Sequence, residues 1–321
     1  MSLSRRMLLL SGPLAALGCV TLSRHTASEA GDEVRFGRHS LRVPDELRSG
    51  ERVSFELGTL QGFEHSNAKE TRALLDRLEQ EAQYVLATEP RPNFTISRVA
   101  FVHQGATFDI IEYDLGPTAE ALYEVKIVVD AGARPLVIHG PLRGADLREA
   151  EANARALISA IAPLPAPAHE HPFCSSSYSI DVAPALGQGI ELSMESDDGR
   201  VLVAEAAYVR AREHRELGAP SFARDSLAYA RSRRTGPGVG NLHLRRRTVR
   251  VAGVVAPEVV WTTNEGRGGL LHFAWIHLGV AHDPWRPFLS VYFSGDLASA
   301  SRRELDEQWT ALLGSLRPLS K

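Results

Sequence analysis

Apolar and polar positions alternate most legibly near the carboxyl end of the chain. Leu305, Trp309, Leu312, Leu313 and Leu316 recur at the spacing of one helix face. Ser301 and Glu304 precede them as a capping box, and Pro318 stands where such a helix must stop. The same design occurs 155 residues earlier: Asp146 and Glu149 open it, Ala150, Ala154, Leu157, Ile158 and Ile161 form the apolar stripe, and Pro163 ends it. A third stripe follows Asn67 and Glu70 and runs through Leu74, Leu75, Leu78, Ala82 and Val85.

Between these helices lie shorter runs with the period of strands: Phe94–Val102, Phe108–Tyr113, Leu122–Val129 and Leu242–Val251. Several repeat in the second half. Leu122 to Val129 is echoed by Leu270 to Gly279 at an offset of about 148, and Arg134-Pro135-Leu136-Val137-Ile138 by Arg286-Pro287-Phe288-Leu289-Ser290 at 152. A drifting offset is what loop insertions between matched elements produce. The repeat predicts two related domains, 33–163 and 171–321, joined by a proline-rich linker at 164–170. A further helix is expected over Phe222 to Arg231. Strands that neighbour strands along the chain favour an α+β fold with largely antiparallel sheets over a doubly wound one.

The first 19 residues read as an address. Arg5 and Arg6 form a basic head, and the apolar run from Met7 to Val20 is shorter than the roughly 20 apolar residues of a spanning helix. Ser4-Arg5-Arg6 resembles a twin-arginine export signal, and an ordinary secretory signal fits equally. The run closes in Ala15-Ala16-Leu17-Gly18-Cys19, which resembles a bacterial lipobox and makes Cys19 the lipidation site. Cleavage after Ser28-Glu29-Ala30, releasing a soluble periplasmic protein, is the alternative. With Cys19 lipidated, Cys174 has no partner in the chain, so no disulfide framework is expected. Val20 after the cysteine suits sorting to the outer membrane.

Composition narrows the function. The formal net charge is −3 and becomes −5 without Arg5 and Arg6, which argues against general nucleic-acid binding. No catalytic or metal motif is present: there is no Gly-x-Ser-x-Gly, no His-Glu-x-x-His and no Cys-x-x-Cys. Gly236-Pro237-Gly238-Val239-Gly240 reads as a turn, His169 and His171 as linker, and Cys174 as a small buried hydrophobe. No catalytic residue, cofactor or metal is expected.

What remains is surface. Eleven arginines fall between positions 210 and 250, Arg245 and Arg247 among them, just after an acidic turn carrying Asp197 and Asp198. They read either as a polarised surface that steers a charged partner or as a solvated face. Trp261, Trp275 and Trp309 belong to predicted strands or a helix and are expected in the core. Trp285, beside Asp283, sits in a loop, where an exposed tryptophan could anchor an interface.

Taken in order, the residues resemble a known family, the two-domain periplasmic immunity proteins that protect bacteria from type VI secretion lipase effectors. The amino-terminal likeness rests on Gly37-Arg38-His39-Ser40-Leu41-Arg42-Val43-Pro44 and the helix after Asn67. The carboxyl-terminal likeness rests on Phe173-Cys174, Arg247-Thr248-Val249, Gly253, Glu258, Phe273-Ala274-Trp275, Arg286-Pro287, and the closing Trp309, Leu312, Ser315 and Arg317-Pro318. The chain departs from the pattern at Arg35, at Arg42 and at Ala256-Pro257-Glu258. The resemblance implies a non-enzyme that binds a cognate phospholipase effector in the periplasm and grips its lid or cap between the two domains. Its only contact with membrane would be a lipid anchor. A binding or assembly lipoprotein of the envelope is the competing reading, and an enzyme with an unrecognised site a third.

Overall fold

The computed structural model describes residues 20–21, 31–48, 50–88, 95–114, 122–130, 134–165, 172–183, 185, 187–207, 241–263, 269–280, 283 and 285–319. Arg5, Arg6, Cys19, most of the linker and the helix expected over Phe222 to Arg231 lie outside these residues.

In chain order the elements are β1 (Val20–Thr21), β2 (Asp32–Phe36), β3 (His39–Val43), a short 3-10 turn (Asp45–Leu47), β4 (Arg52–Leu57), β5 (Leu60–His65) and α1 (Ala68–Thr88). Next come β6 (Thr95–His103), β7 (Ala106–Asp114), β8 (Leu122–Val129), β9 (Leu136–Leu142), α2 (Leu147–Ser159) and β10 (Ile161–Pro163). The remainder runs β11 (Phe173–Cys174), β12 (Tyr178–Ile180), β13 (Gln188–Glu195), β14 (Val201–Ala207), β15 (Asn241–Val251), β16 (Val254–Thr263), β17 (Leu270–His277), β18 (Phe288–Asp296), α3 (Arg302–Ser315) and β19 (Arg317–Pro318). This is the expected α+β class with largely antiparallel sheets.

Thirteen strands form one sheet in the order β1-β15-β16-β17-β18-β14-β13-β4-β5-β9-β8-β7-β6. Every pairing in it is antiparallel except β1 with β15. Reading outward from the centre, β4-β5-β9-β8-β7-β6 on one side mirrors β13-β14-β18-β17-β16-β15 on the other, so both halves wind their strands identically. They meet at a seam where Leu192 faces Val53 and Ile190 faces Phe55.

The period-2 pattern sorts side chains onto two faces. One row of directly opposed residues, Glu258-Trp275-Val291-Ala204-Leu192-Val53-Glu64-Leu136, crosses eight strands, and all eight residues are buried. On this inner face Phe273 packs on Phe293 and Trp309, and Phe55 meets Phe173 edge to face. Gly62 makes room there, because a Cβ on it would lie 2.0 Å from the Phe55 ring. Trp261, Trp275 and Trp309 are all buried, as the sequence indicated.

The helices begin where their caps dictate. Ser301 and Glu304 form the complete capping box of α3. Asp146 accepts from the Glu149 amide at 2.8 Å, whereas the Glu149 carboxylate reaches the Ala145 amide, one residue earlier than a capping box requires. Asn67 caps α1, accepting from the Lys69 amide at 2.9 Å. On α1 Leu74 is buried and Leu75, Leu78 and Ala82 half-buried; the Val85 side chain lies outside the described set.

The helix ends differ from expectation. α2 stops at Ser159 and α3 at Ser315, before their prolines, and the residues read as helix stops form strands instead. Ile161–Pro163 pairs with β12 of the second half, and Arg317–Pro318 pairs with β3 of the first. The small sheets β10-β12-β11 and β19-β3-β2 are therefore each completed by a strand from the other half. Strands of two or three residues are too short to leave a periodic trace in the segments themselves.

Candidate partner-binding surface

Arg245 and Arg247 lie two residues apart on β15, and both reach Glu258, which stands opposite Arg247 on β16. Glu258 is fully buried. The Arg245 guanidinium donates to it at 2.7 Å, Arg247 Nε pairs with its other oxygen, and Trp309 Nε1 donates at 2.9 Å. Arg245 also bridges to Asp306 of α3 at 2.8 and 3.1 Å. A carboxylate in the interior is tolerated only when its lone pairs and charge are met. These two arginines therefore direct their charge inward, fastening α3 to the sheet.

The acidic turn between β13 and β14 divides its two residues. Asp198 is drawn into the turn by Ser196 and by Arg200, whose Nε and Nη2 lie 3.0 and 2.8 Å from its oxygens. The hydrogen bond from Arg200 holds its carboxyl below the usual range. Asp197 points outward and is exposed.

Asp283 and Trp285 lie in the loop between β17 and β18. Here the Val280 amide donates to the Arg286 carbonyl at 2.9 Å, the Asp283 amide to Val280 and the Arg286 amide to Asp283, both at 3.1 Å. The Asp283 carboxylate accepts from the Trp285 amide at 3.0 Å and pairs with Arg286 at 3.2 Å. Gly279 adopts a positive φ of 72°, and a Cβ there would meet the Pro287 backbone at 2.5 Å. Val280, Asp283 and Arg286 are thus tied to one another, and Trp285 beside them stands 45% exposed.

These six residues do not form one patch. β14 and β18 run antiparallel, with Val201 opposite Ser294 and Ala207 opposite Phe288. The acidic turn adjoins one end of that ladder and the Trp285 loop the other, about 20 Å apart at roughly 3.4 Å per residue. Arg245 and Arg247 sit on β15, separated from that ladder by β16 and β17.

One concavity was not apparent in the sequence. On the outer face, over the seam, a cleft of about 630 Å³ is floored by β4, β5, β13 and β14 and walled by α1. Phe63, Ser54, Glu191 and Glu205 succeed one another across its floor in direct register, with residues of both halves contributing. Glu191 and Glu205 directly oppose each other, so the floor is acidic on the second-half side. Leu74 and Arg77 line the α1 wall, and burial, together with Arg77, holds the nearby His139 below its usual pKa, leaving it neutral at pH 7. The sequence signal was available in part: the polar alternates Arg52, Ser54 and Glu56 of β4 and Glu191 and Ser193 of β13 mark an uncovered face. Their adjacency comes only from the β4–β13 pairing.

A second feature at the seam is buried. Glu51 and Glu64 are both fully buried, 2.9 and 4.0 Å from Arg134. Ser175 Oγ donates to Glu64 at 2.7 Å, the Ser177 amide at 3.2 Å, and Ser176 bonds Glu51. Ser175-Ser176-Ser177 thus turns the β11–β12 hairpin of the second half onto carboxylates of the first. Cys174 beside it is buried, and burial pushes its thiol up, so it is an inert core residue. Among the described residues no group of His, Cys, Asp and Glu is arranged to hold a metal, and no helix is long and apolar enough to cross a membrane.

No protein-family model matches the sequence, and no curated protein does. Solved structures do. The chain superposes on the apo structure of immunity protein TplEi of the type VI secretion system from Pseudomonas aeruginosa with a TM-score of 0.61 at 15% identity, covering 91% of this chain and 98% of that one. A crystal structure of a Tle4–Tli4 complex gives a TM-score of 0.60 at 15% identity over 91% and 99% of the two chains. TplEi complexed with an "L" peptide gives 0.55 at 16% over 91% and 99%. Likeness this complete at such low identity establishes architecture, and it agrees with the family resemblance carried by the residues: the chain has the fold of the type VI secretion immunity protein TplEi.

Proposed function

We propose that this chain is an immunity protein that binds and inhibits a cognate type VI secretion phospholipase effector in the periplasm. The observation that carries the reading is the fold, which follows that of TplEi over 91% of the chain. Its effect arises from surface complementarity, with no catalysis of its own. Asp197 and Asp198 on one side and Asp283 and Trp285 on the other are interface candidates. Arg245 and Arg247 contribute by holding the frame on which the interface is displayed.

The grip centres on the seam cleft. Its floor draws on both halves, so a lid or cap element of the effector lying in it touches the two related units at once. A stable complex buries about 1,200–2,000 Å² in total, which extends the contact beyond the cleft to its rims. Export places the protein where the toxin acts, and lipidation at Cys19 tethers it to the outer membrane.

The test is co-purification with candidate type VI lipase effectors, any encoded beside this gene first, together with survival of cells exporting such a lipase with and without this chain. Complex formation and protection are expected. A purified pair that neither associates nor changes lipase activity would overturn the reading, as would turnover of a substrate by the chain itself.

A further inference from the structure

The two halves differ most tellingly where the Trp285 loop stands. Residues 130–135 join β8 to β9 in the first half, whereas residues 278–287 join β17 to β18 in the second. The second connection is four residues longer, the amount by which the sequence offset drifts from 148 to 152. Among its described residues, Val280, Asp283 and Arg286 are held by three backbone hydrogen bonds and the Asp283–Arg286 ion pair, and Gly279 is left-handed. What it displays is apolar: Val280 is 41% exposed and Trp285 45%, while the other three tryptophans are at most 1% exposed. Its position is also specific. Phe288, three residues after Trp285, lies opposite Ala207, which lines the seam cleft, so the loop enters the sheet one strand beyond the cleft floor.

We infer that this inserted loop is a second, aromatic anchor of the effector complex beside the cleft, with Trp285 and Val280 entering an apolar recess next to the effector's active site. The inference rests on the immunity reading and adds to it the site and chemistry of attachment. A lipid hydrolase must admit acyl chains, so the surface around its active site is apolar. A rigid aromatic knob is its natural complement, because tryptophan buries a large area at small cost in side-chain freedom and dominates interface energetics. Fixing the loop beforehand lowers the ordering cost of binding. A bilayer fits the loop less well: membrane-seeking loops carry a basic rim, whereas here Asp283 and Arg286 neutralise each other.

The experiment uses the one exposed tryptophan as its own reporter. Acrylamide quenching of the purified chain reads Trp285 almost alone; the candidate effector lipase is titrated in, using a lipase preparation in which its own signal is silenced by fluorotryptophan. Complex formation with loss of quenching is expected, Trp285→Ala and Val280→Glu are each expected to weaken binding by about 100-fold, and Trp285→Phe by less than about tenfold, with thermal unfolding unchanged. A complex that forms while Trp285 stays fully quenchable would overturn the anchor and leave the immunity reading standing. Absence of any complex would overturn both. Protection of Trp285 by phosphatidylethanolamine–phosphatidylglycerol vesicles, with none from the lipase, would assign the loop to the membrane and overturn the anchor.

Discussion

Arg317, in the last strand, lies directly opposite Ser40 in the first half, and the next residue, Pro318, lies opposite His39. Its counterpart is Ile161, which closes the first half yet lies opposite Ile180 of the second. Each half thus lends its closing strand to the other. Together with the β4–β13 seam, this exchange makes the halves a single interlocked frame around the cleft.

The exchange predicts where a carboxyl-terminal truncation acts. Removing residues 317–321 deletes β19 and the 2.8 Å hydrogen bond from the Leu319 amide to the Arg38 carbonyl. The damage is expected far away in sequence, as faster hydrogen exchange at Ser40 and Leu41, with a stability loss of about 1–3 kcal/mol, at roughly 1 kcal/mol per hydrogen bond. Exchange confined to α3, with β2 and β3 unaffected, would contradict the interlock.

Glu258 tests the assignment of the arginines. Glu258→Ala leaves Arg245 and Arg247 without their shared carboxylate and the Trp309 indole without its acceptor, a change expected to cost about 3 kcal/mol by urea unfolding. Arg247→Ala is expected to lower stability as well, and the double variant to lose less than the two single losses added. If Arg247→Ala weakened effector binding with stability unchanged, the arginine would belong to the interface instead.

These cases show what could be read from residues alone. Caps, amphipathic stripes and the Arg-Pro strands are local, so α2, α3, β9 and β18 were legible, and so was the repeat that relates them. Buried charge was not. Arg245 and Arg247 look like a solvated face because the carboxylate that neutralises them lies across a ladder, and nothing in Ser175-Ser176-Ser177 points to Glu51 and Glu64, which come from the other half. Trp285 was legible as an exposed residue because it sits outside every periodic run. The seam cleft was not legible, since no single segment contains it.

Two glutamates give opposite pH signatures. Burial raises the Glu64 carboxyl above its ordinary 4.5, so its contribution to stability is fullest below that pH and is lost as pH rises through its folded value. The hydrogen bond from Arg98 lowers Glu79 to about 2, so its contribution is present above 4.5 and lost as pH falls towards 2. Unfolding free energies of Glu64→Gln and Glu79→Gln relative to the parent, measured from pH 3 to 7.5, should therefore diverge. The parent's advantage over Glu64→Gln is expected to shrink with rising pH, and its advantage over Glu79→Gln to shrink with falling pH. Parallel curves would contradict the assignment of Glu64 as a desolvated carboxyl.

Ser54 offers the sharpest test of the cleft. It is exposed on β4 in the middle of the floor, with Phe63 on one side and Glu191 on the other. Tryptophan is a good strand residue, so Ser54→Trp fills the cleft without disturbing the inner face, where Val53 and Phe55 are buried. Stability is expected to stay within about 0.5 kcal/mol, the ordinary range for a surface change. If the effector's element occupies the cleft, the new indole excludes it, and affinity should fall at least about 100-fold, a loss of about 2.7 kcal/mol. Protection of cells should fall in step. Ser54→Ala, which leaves the space open, should bind like the parent, since a floor hydroxyl at a wet surface contributes little. Undiminished binding by Ser54→Trp, with a normal unfolding curve, would move the interface off the seam and onto its rims.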